Sequence, residues 1–530
     1  MMFDDKVELT GSFSAQASVY STNNTYSRRE PFTWRIYGNP RIKAGDFDIP
    51  MNLTLGSYED KLRQAYNKFG MSPKYKEIIV VHLGHRNVNF SPLVLGGKTI
   101  LGAGFELNAK KFRAGFMYGR FGRAVQIDSL SFGLPAYKRS GFAAKIGYGT
   151  RSNYVDLVFL KARDDENSLE NLPLNKPLAP AENAVIGLTV RQRILKNFHF
   201  RLDAALSAYS RDTRVQELED PDIFIAKAMK IVIPIRISNQ YLTGIRSSLE
   251  YRKQTYAVGL EYDRIEPDFQ SMGTWFIRND IERVSAFGRL RTLQNKLNIS
   301  ARAGFQRNNI LNDRSFSNIQ NIGNLDISYR PNNTWSFTLS YSSFLTRQIM
   351  ELLGRDDSTM LDQNMHNISA SATYRWNAAQ KRHTLSGLLS YQNNKDRARE
   401  TNQLVLSGFN AQLRYRIDLT DIRLYLSPAF IFNYYQFAGA RTTRYSPSLI
   451  IGKTFFDQKM NAYLNSGVSF SLLDGQSQRT VYRNIFNLSY KVMKKQTLSL
   501  RLSLSNNRGS ATGAATVTEF QGDLVYSVAL

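Results

Sequence analysis

Apolar and polar residues alternate with a period of two over most of the chain. Leu325, Ile327 and Tyr329 alternate with Asn324, Asp326, Ser328 and Arg330. A turn follows at Pro331-Asn332-Asn333-Thr334, and Trp335, Phe337, Leu339 and Tyr341 return between Ser336, Thr338 and Ser340. Successive side chains of a strand point to opposite faces, so this is a hairpin with one apolar and one polar face. The unit recurs. Ile368 to Trp376 returns through Leu385 to Tyr391, Phe409 to Ile417 through Ile422 to Phe432, and Phe486 to Val492 through Leu498 to Leu504. Earlier hairpins join Leu101–Leu107 to Phe112–Tyr118 and Leu249–Tyr251 to Tyr256–Tyr262, and the chain closes on a last alternating strand from Phe520 to Leu530.

Many of these runs span about 10–15 residues. Strands of soluble sheets average about 5–6, whereas crossing lipid at a tilt takes about 9–11. The pattern predicts an all-β fold: a transmembrane antiparallel up-and-down β-barrel. About 25 strands can be counted, and single-chain barrels close on even numbers, so 24–26 strands are expected. Residues 32–100 are the least regular. Short turns alternate with longer polar stretches such as 20–31, 164–183, 306–321, 345–365, 392–401 and 506–516. Outer-membrane barrels have short periplasmic turns and longer external loops. A C-terminal strand ending in the periplasm puts the short turns there too. Rings beside those turns (Tyr251 with Tyr256, Tyr329 with Trp335, Tyr374 with Trp376) suit an interfacial girdle.

The 530 residues contain no linker, charge block or composition shift, so residues 1–530 read as one barrel domain. The longest uninterrupted apolar run is four residues, as in Ile78-Ile79-Val80-Val81. That excludes a transmembrane helix. The 28 Tyr and 32 Phe fit apolar surface diluted by alternation. With no cysteine, disulfides and thiolate metal sites are excluded. An exported protein needs a signal peptide, and the start Met1-Met2-Phe3-Asp4-Asp5 does not read as one, so a removed leader is expected.

The formal charge of +25 is spread along the chain without a nucleic-acid motif. Membrane lipid, lipopolysaccharide, an anionic cargo or other envelope proteins are the expected partners; nucleic acid is not. On the phase opposite the apolar face lie Arg246, Arg289, Arg302, Arg330, Arg375, Arg414, Arg416, Arg423, Arg483, Lys491 and Arg501. Acids on that phase include Glu250, Glu261, Asp263, Asp326 and Asp523. Basic rings favour anions in pores, although interstrand ion pairs would use the same residues. The balance predicts a positive lumen.

Two stretches break the period. In residues 57–98, Tyr58–Phe69 reads as a short amphipathic helix ending at Gly70, followed by the strand Lys76–His85 and an irregular segment holding Phe90, Pro92 and Gly96-Gly97. In residues 220–238, Asp220-Pro221 opens a helical turn before an apolar run containing Pro234. Both are candidate lumen-inserted or gating segments, with Phe69, Phe90, Pro92 and Pro234 as candidate constriction residues; long external loops are the alternative. His82 and His85, three apart in a strand, face opposite ways. There is no metal-ligand spacing, phosphate loop or nucleophile elbow. No catalytic residue, cofactor or enzyme activity is expected.

Over nearly its whole length the chain resembles large single-chain bacterial outer-membrane barrels. Ser91–Tyr118, with Gly-Ala-Gly-Phe-Glu-Leu at 102–107, and Glu266-Pro267-Asp268-Phe269-Gln270-Ser271-Met272-Gly273 are similar to one family of such barrels, a poorly characterised one for which the resemblance implies no activity. The expected function is a transport or translocation channel, passive or within a multi-protein export or uptake machine. The alternatives are a plugged scaffold for partner proteins and a surface receptor or adhesin acting through external loops.

Overall fold

The computed structural model describes residues 7–57, 64–126, 135–170, 178–218, 224–350, 359–396, 405–510 and 515–530. Twenty-six antiparallel strands follow one another around a single closed wall. The first are β1 (Glu8–Thr10 and Ser12–Thr22), β2 (Phe32–Gly38 and Arg41–Ala44), β3 (Phe47–Gly56), β4 (Lys68–Met71 and Lys74–Tyr75) and β5 (Ile79–Asn87). Then come β6 (Thr99–Ala109), β7 (Phe112–Gly122), β8 (Arg139–Gly149), β9 (Tyr154–Asp164), β10 (Glu182–Ile194) and β11 (Phe198–Ser210). They are followed by β12 (Asn239–Arg252), β13 (Tyr256–Ile265), β14 (Ile281–Thr292), β15 (Leu297–Arg307), β16 (Phe316–Tyr329), β17 (Trp335–Met350) and β18 (Thr359–Ala378). The rest are β19 (Lys381–Asp396), β20 (Val405–Leu419), β21 (Leu424–Phe437), β22 (Ala440–Phe455), β23 (Met460–Leu473), β24 (Gln476–Met493), β25 (Gln496–Gly509) and β26 (Val517–Ala529). Pairing of Ser12–Thr22 with Glu519–Ala529 closes the ring and leaves no free edge.

The irregularity of residues 32–100 has a local cause. β1, β2 and β4 are each broken once, at Gly11, at Asn39-Pro40 and at Ser72-Pro73. Proline cannot donate to the ladder. Gly11 has φ +106, and a Cβ there would lie 2.3 Å from the Asn39 carbonyl oxygen, so this crossing tolerates glycine alone. The expected helix at 58–69 is corrected at its C-terminal end: Lys68–Met71 is strand, with Phe69 opposite Leu53. Residues 58–63 lie outside the described residues.

All the two- to five-residue turns within residues 45–495 that follow even-numbered strands share one end with Leu530, whose amide donates to the Gly11 carbonyl. At the other end the stretches expected as loops are partly wall. β17, β18, β19 and β25 run on through 345–350, 359–365, 392–396 and 506–509, and two connections shrink to the turns Ala438-Gly439 and Asp474-Gly475. Both residues of each turn have positive φ, the geometry of a tight hairpin that matches strand twist. Strands β16–β26 run 13–20 residues against 9–11 in β5–β9, so the C-terminal wall stands taller.

The outward phase is apolar and exposed, as at Ile146, Leu157, Leu260, Leu389 and Leu413. Near the short turns it carries a run of rings. Tyr329, Phe337 and Trp335 lead to Tyr374 at 4.4 Å, then Trp376, and then His383 at 4.9 Å, whose Nδ1 shares a 2.7 Å hydrogen bond with Tyr415. Rings with an apolar face and a polar tip sit at a membrane interface. Leu389 is central in its strand and 54% exposed. The expected cost of Leu389→Arg is about 2–4 kcal/mol if it faces hydrocarbon, measurable as a lowered urea midpoint for folding into vesicles; a midpoint unchanged from wild type would place this face in water.

Candidate functional site: the lumen and its plug

The inward faces of β6–β14 are lined unlike the rest of the wall. The segments Val88–Lys98 and Glu266–Asp280, both connections at the long-loop end, fold inward and pack on them. Phe90, Leu93, Val94, Leu95, Phe269 and Met272 are buried together with inward wall residues Met117, Phe121, Ala143, Val158, Leu160, Val185 and Ala205. The two segments join through a parallel bridge of Leu95–Gly96 with Gly273–Thr274.

Hydrogen bonds fix this plug to the wall. The buried Asn183 of β10 accepts from the Met272 amide (2.9 Å) and donates to Ser207 Oγ (2.9 Å) and the Ala208 carbonyl (3.0 Å). Ser207 donates to the Gln270 carbonyl (2.7 Å), Ser271 to the Val94 carbonyl (2.6 Å), and Lys98 Nζ to the Met272 carbonyl (2.8 Å). Small residues make the space. A Cβ on Gly187 would lie 2.4 Å from Val94 Cγ2, and one on Gly273 would lie 2.2 Å from Leu160 Cδ1 and 2.4 Å from the Val94 carbonyl oxygen. Gly187→Val should therefore lever Val94 off the wall; overpacking of this kind costs about 1–3 kcal/mol. Faster amide exchange confined to Val88–Lys98 is the expected result, and unchanged exchange there would show that the segment yields without detaching.

Around the plug many of the wall charges are paired. Arg113 forms a two-pronged bond with Asp156 (2.7 and 3.0 Å) and Arg139 with Asp164 (2.8 Å each). Lys145 reaches Glu106 at 2.7 Å and lies 4.6 Å from the Phe90 ring centroid. Glu106 also meets the inward His82 (3.3 Å), whose other ring nitrogen bonds Ser72 (2.9 Å). Arg191 pairs with Asp203 (2.7 Å).

The opposite wall, β15–β26, turns Ser, Thr, Asn and Gln inward. Asn324, Ser340, Ser342, Asn367, Ser369, Ser390, Gln392 and Asn410 line one continuous hollow, and Asn433, Ser446, Ser448, Asn465 and Ser469 another. Twenty-six strands about 4.8 Å apart, tilted near 40°, give a circular section roughly 50 Å across. A plug on one wall leaves much of such a section open.

The phase of the register places Arg246, Arg289, Arg302, Arg375, Arg414, Arg416, Arg483 and Arg501 inward. Arg330 and Arg423 sit in short turns, so they flank the lumen mouth and do not line its wall. Arg302 pairs with Glu261, Arg416 with Asp418 (2.6 Å) and Arg423 with Asp457 (3.1 Å). Among the described residues, Arg246, Arg289, Arg375, Arg414, Arg483 and Arg501 have no carboxylate within salt-bridge distance.

Of the candidate constriction residues, Phe90 is buried within the plug and Pro92 is half-buried beside it. Phe69 is 51% exposed on the outward phase of β4 and constricts nothing. Pro234 is displaced further from the expectation. The helix α1 (Phe224–Met229) and the chain after it lie against the outside of the wall. There Met229 and Ile233 bury on the outward residues Ala184 and Ala208, between Phe159, Ile186, Leu206 and Tyr241. Two alanines on the lipid-facing phase leave a shallow recess that this apolar turn fills. The buried Arg236 locks it, bonding Glu182 (3.1 Å) and Glu217 (3.0 Å). Residues 224–238 therefore form an outer clasp and not a gate; 220–223 lie outside the described residues. Nearby, the hydroxyl of Thr213 and then Arg163 hold the Glu166 carboxyl below its usual range, tying two external connections together.

A closed 26-stranded wall with an apolar outside and a polar inside defines an outer-membrane β-barrel. No family model matches the chain, and no curated protein matches it in sequence. Solved barrels are similar at low identity. Pseudomonas aeruginosa OccK2 (OpdF) is 11% identical, with 99% of this chain and 98% of that chain covered and a TM-score of 0.32. Acinetobacter baumannii OccAB4 is 12% identical over 71% of this chain and 97% of that one, at 0.31. The P pilus usher (PapC) translocation pore is 10% identical over 99% and 100%, at 0.30. No three metal-ligating side chains converge among the described residues.

Proposed function

We propose that the chain is a transport or translocation channel of the outer membrane, working alone or within a multi-protein export or uptake machine. The observation that carries this reading is the two-sided lumen: one wall sealed by a hydrogen-bonded apolar plug, the other lined by half-buried Ser, Asn and Gln with exposed arginines that lack acidic partners. A polar wall suits a water-filled lumen, and guanidinium groups without acidic partners favour anions along it. Reconstitution into planar bilayers tests this: discrete conductance steps with anion-over-cation selectivity are expected, and a barrel silent both intact and with Val88–Lys98 removed would overturn it.

The plug's fixation favours a second reading, in which the barrel stays shut and its lumen or outer loops hold partner proteins. Silence in bilayers together with stoichiometric capture of an envelope protein from native membranes would establish that reading.

A further inference from the structure

The connection Glu266–Asp280 does more than fill space, because four consecutive residues face two different hollows. Trp275 and Phe276 are 69% and 78% exposed in a hollow whose other walls mix polar side chains, Gln64, Gln270 and Asn279 among them, with Ile277 and the edges of the buried Phe269 and Met272. Arg278 enters a neighbouring hollow with Arg201 and Arg246. Among the described residues none of these three arginines has a carboxylate within salt-bridge distance, although Arg191 and Arg283 beside them are paired to Asp203 and Asp263. Two large rings held in water by a backbone anchored at Ser271 and Met272 have no packing role. The anchoring pre-organises them.

We propose that this face of the plug binds an acidic oligosaccharide, one carrying carboxylate groups on pyranose rings. The proposal rests on the channel reading and names the class of its cargo. Trp275 and Phe276 supply flat apolar faces for the C–H side of a sugar ring, and the polar surround suits its hydroxyls. Arg201, Arg246 and Arg278 supply charge-assisted donors for the carboxylates. An aromatic or aliphatic peptide would need a continuous apolar groove, and here Lys98, Arg139, Gln270 and Asn279 interrupt the apolar surface around Trp275.

Tryptophan fluorescence and calorimetry on the detergent-solubilised full chain test this without requiring conduction. The other tryptophans, Trp34, Trp335 and Trp376, lie on the outward phase, so Trp275 reports the plug alone. Hexagalacturonate should change the emission saturably, Trp275→Leu should remove that change, and Arg246→Ala with Arg278→Ala should weaken calorimetric binding at least tenfold. Maltohexaose should bind at least tenfold more weakly than hexagalacturonate. Equal binding of maltohexaose would overturn the role of the arginines, and equal binding of hexaglutamate would overturn the sugar class. No binding of hexagalacturonate by a protein that still conducts would sink the proposal and leave the channel standing; binding without conduction would do the reverse.

Discussion

Replacing Val88–Lys98 and Asp268–Asn279 with short Gly-Ser linkers is expected to raise single-channel conductance, in proportion to the share of the section that the plug fills. Both segments are connections at the long-loop end, so their removal leaves every wall strand and its pairing in place. What is lost is the apolar layer on β6–β14. Buried side chains such as Phe269, Leu93, Leu95 and Val94 each contribute roughly 1.5–3 kcal/mol, and Met117, Phe121, Leu160 and Val185 become wetted in turn. The deletion should therefore also lower the temperature or urea midpoint of unfolding. The two effects together identify a plug. A destabilised barrel with wild-type conductance would mean that current already bypasses this half of the lumen, along the Ser/Asn wall.

The alternation of Leu325–Tyr341 or Phe486–Leu504 was enough to read wall, faces and register, because one face must meet lipid and the other must not. The same reading put eight of the ten predicted arginines on the inward phase. It missed Arg330 and Arg423 because alternation counted on past the strand end cannot tell a turn from a wall. It also overestimated external loops. Polar residues such as Gln392, Asn393 and Asn394 lie in strand beyond the apolar belt, where strand faces no longer need to alternate.

The broken stretches were harder. Residues 88–98 and 224–238 look alike in sequence, apolar and prolyl, yet one is inside the wall and the other outside. The difference lies in the partner faces. Gly115 and Gly187 open the inward face to Phe90 and Val94, whereas Ala184 and Ala208 open the outward face to Met229 and Ile233. The phase on which small residues cluster is the sequence sign of which face receives the segment. Of the segment Glu266–Asp280, Glu266–Gly273 stood out only through family resemblance, though its break in period two at Asp268–Gly273 was the physical sign of a segment leaving the wall.

Charge reversal at Arg414, Arg483 and Arg501, each to Glu, is expected to turn an anion-selective channel into a cation-selective one. These residues lie on the polar half of the wall, away from the plug, and none has a carboxylate partner among the described residues. The substitutions thus break no ion pair, and each changes the lumen by two charges of the same sign. The reversal must depend on salt. In 0.1 M salt the Debye length is about 10 Å, and in 0.01 M about 30 Å, against a wall roughly 50 Å across between backbones, which inward side chains and the plug narrow. Reversal potentials should therefore differ most between variant and wild type at low ionic strength and converge near 1 M. The same three positions mutated to Gln should give an intermediate, nearly unselective pore. If the triple Glu variant keeps wild-type selectivity at low salt, the ions do not pass along β20–β25, and the conducting route must run past Arg246 and Arg289 beside the plug.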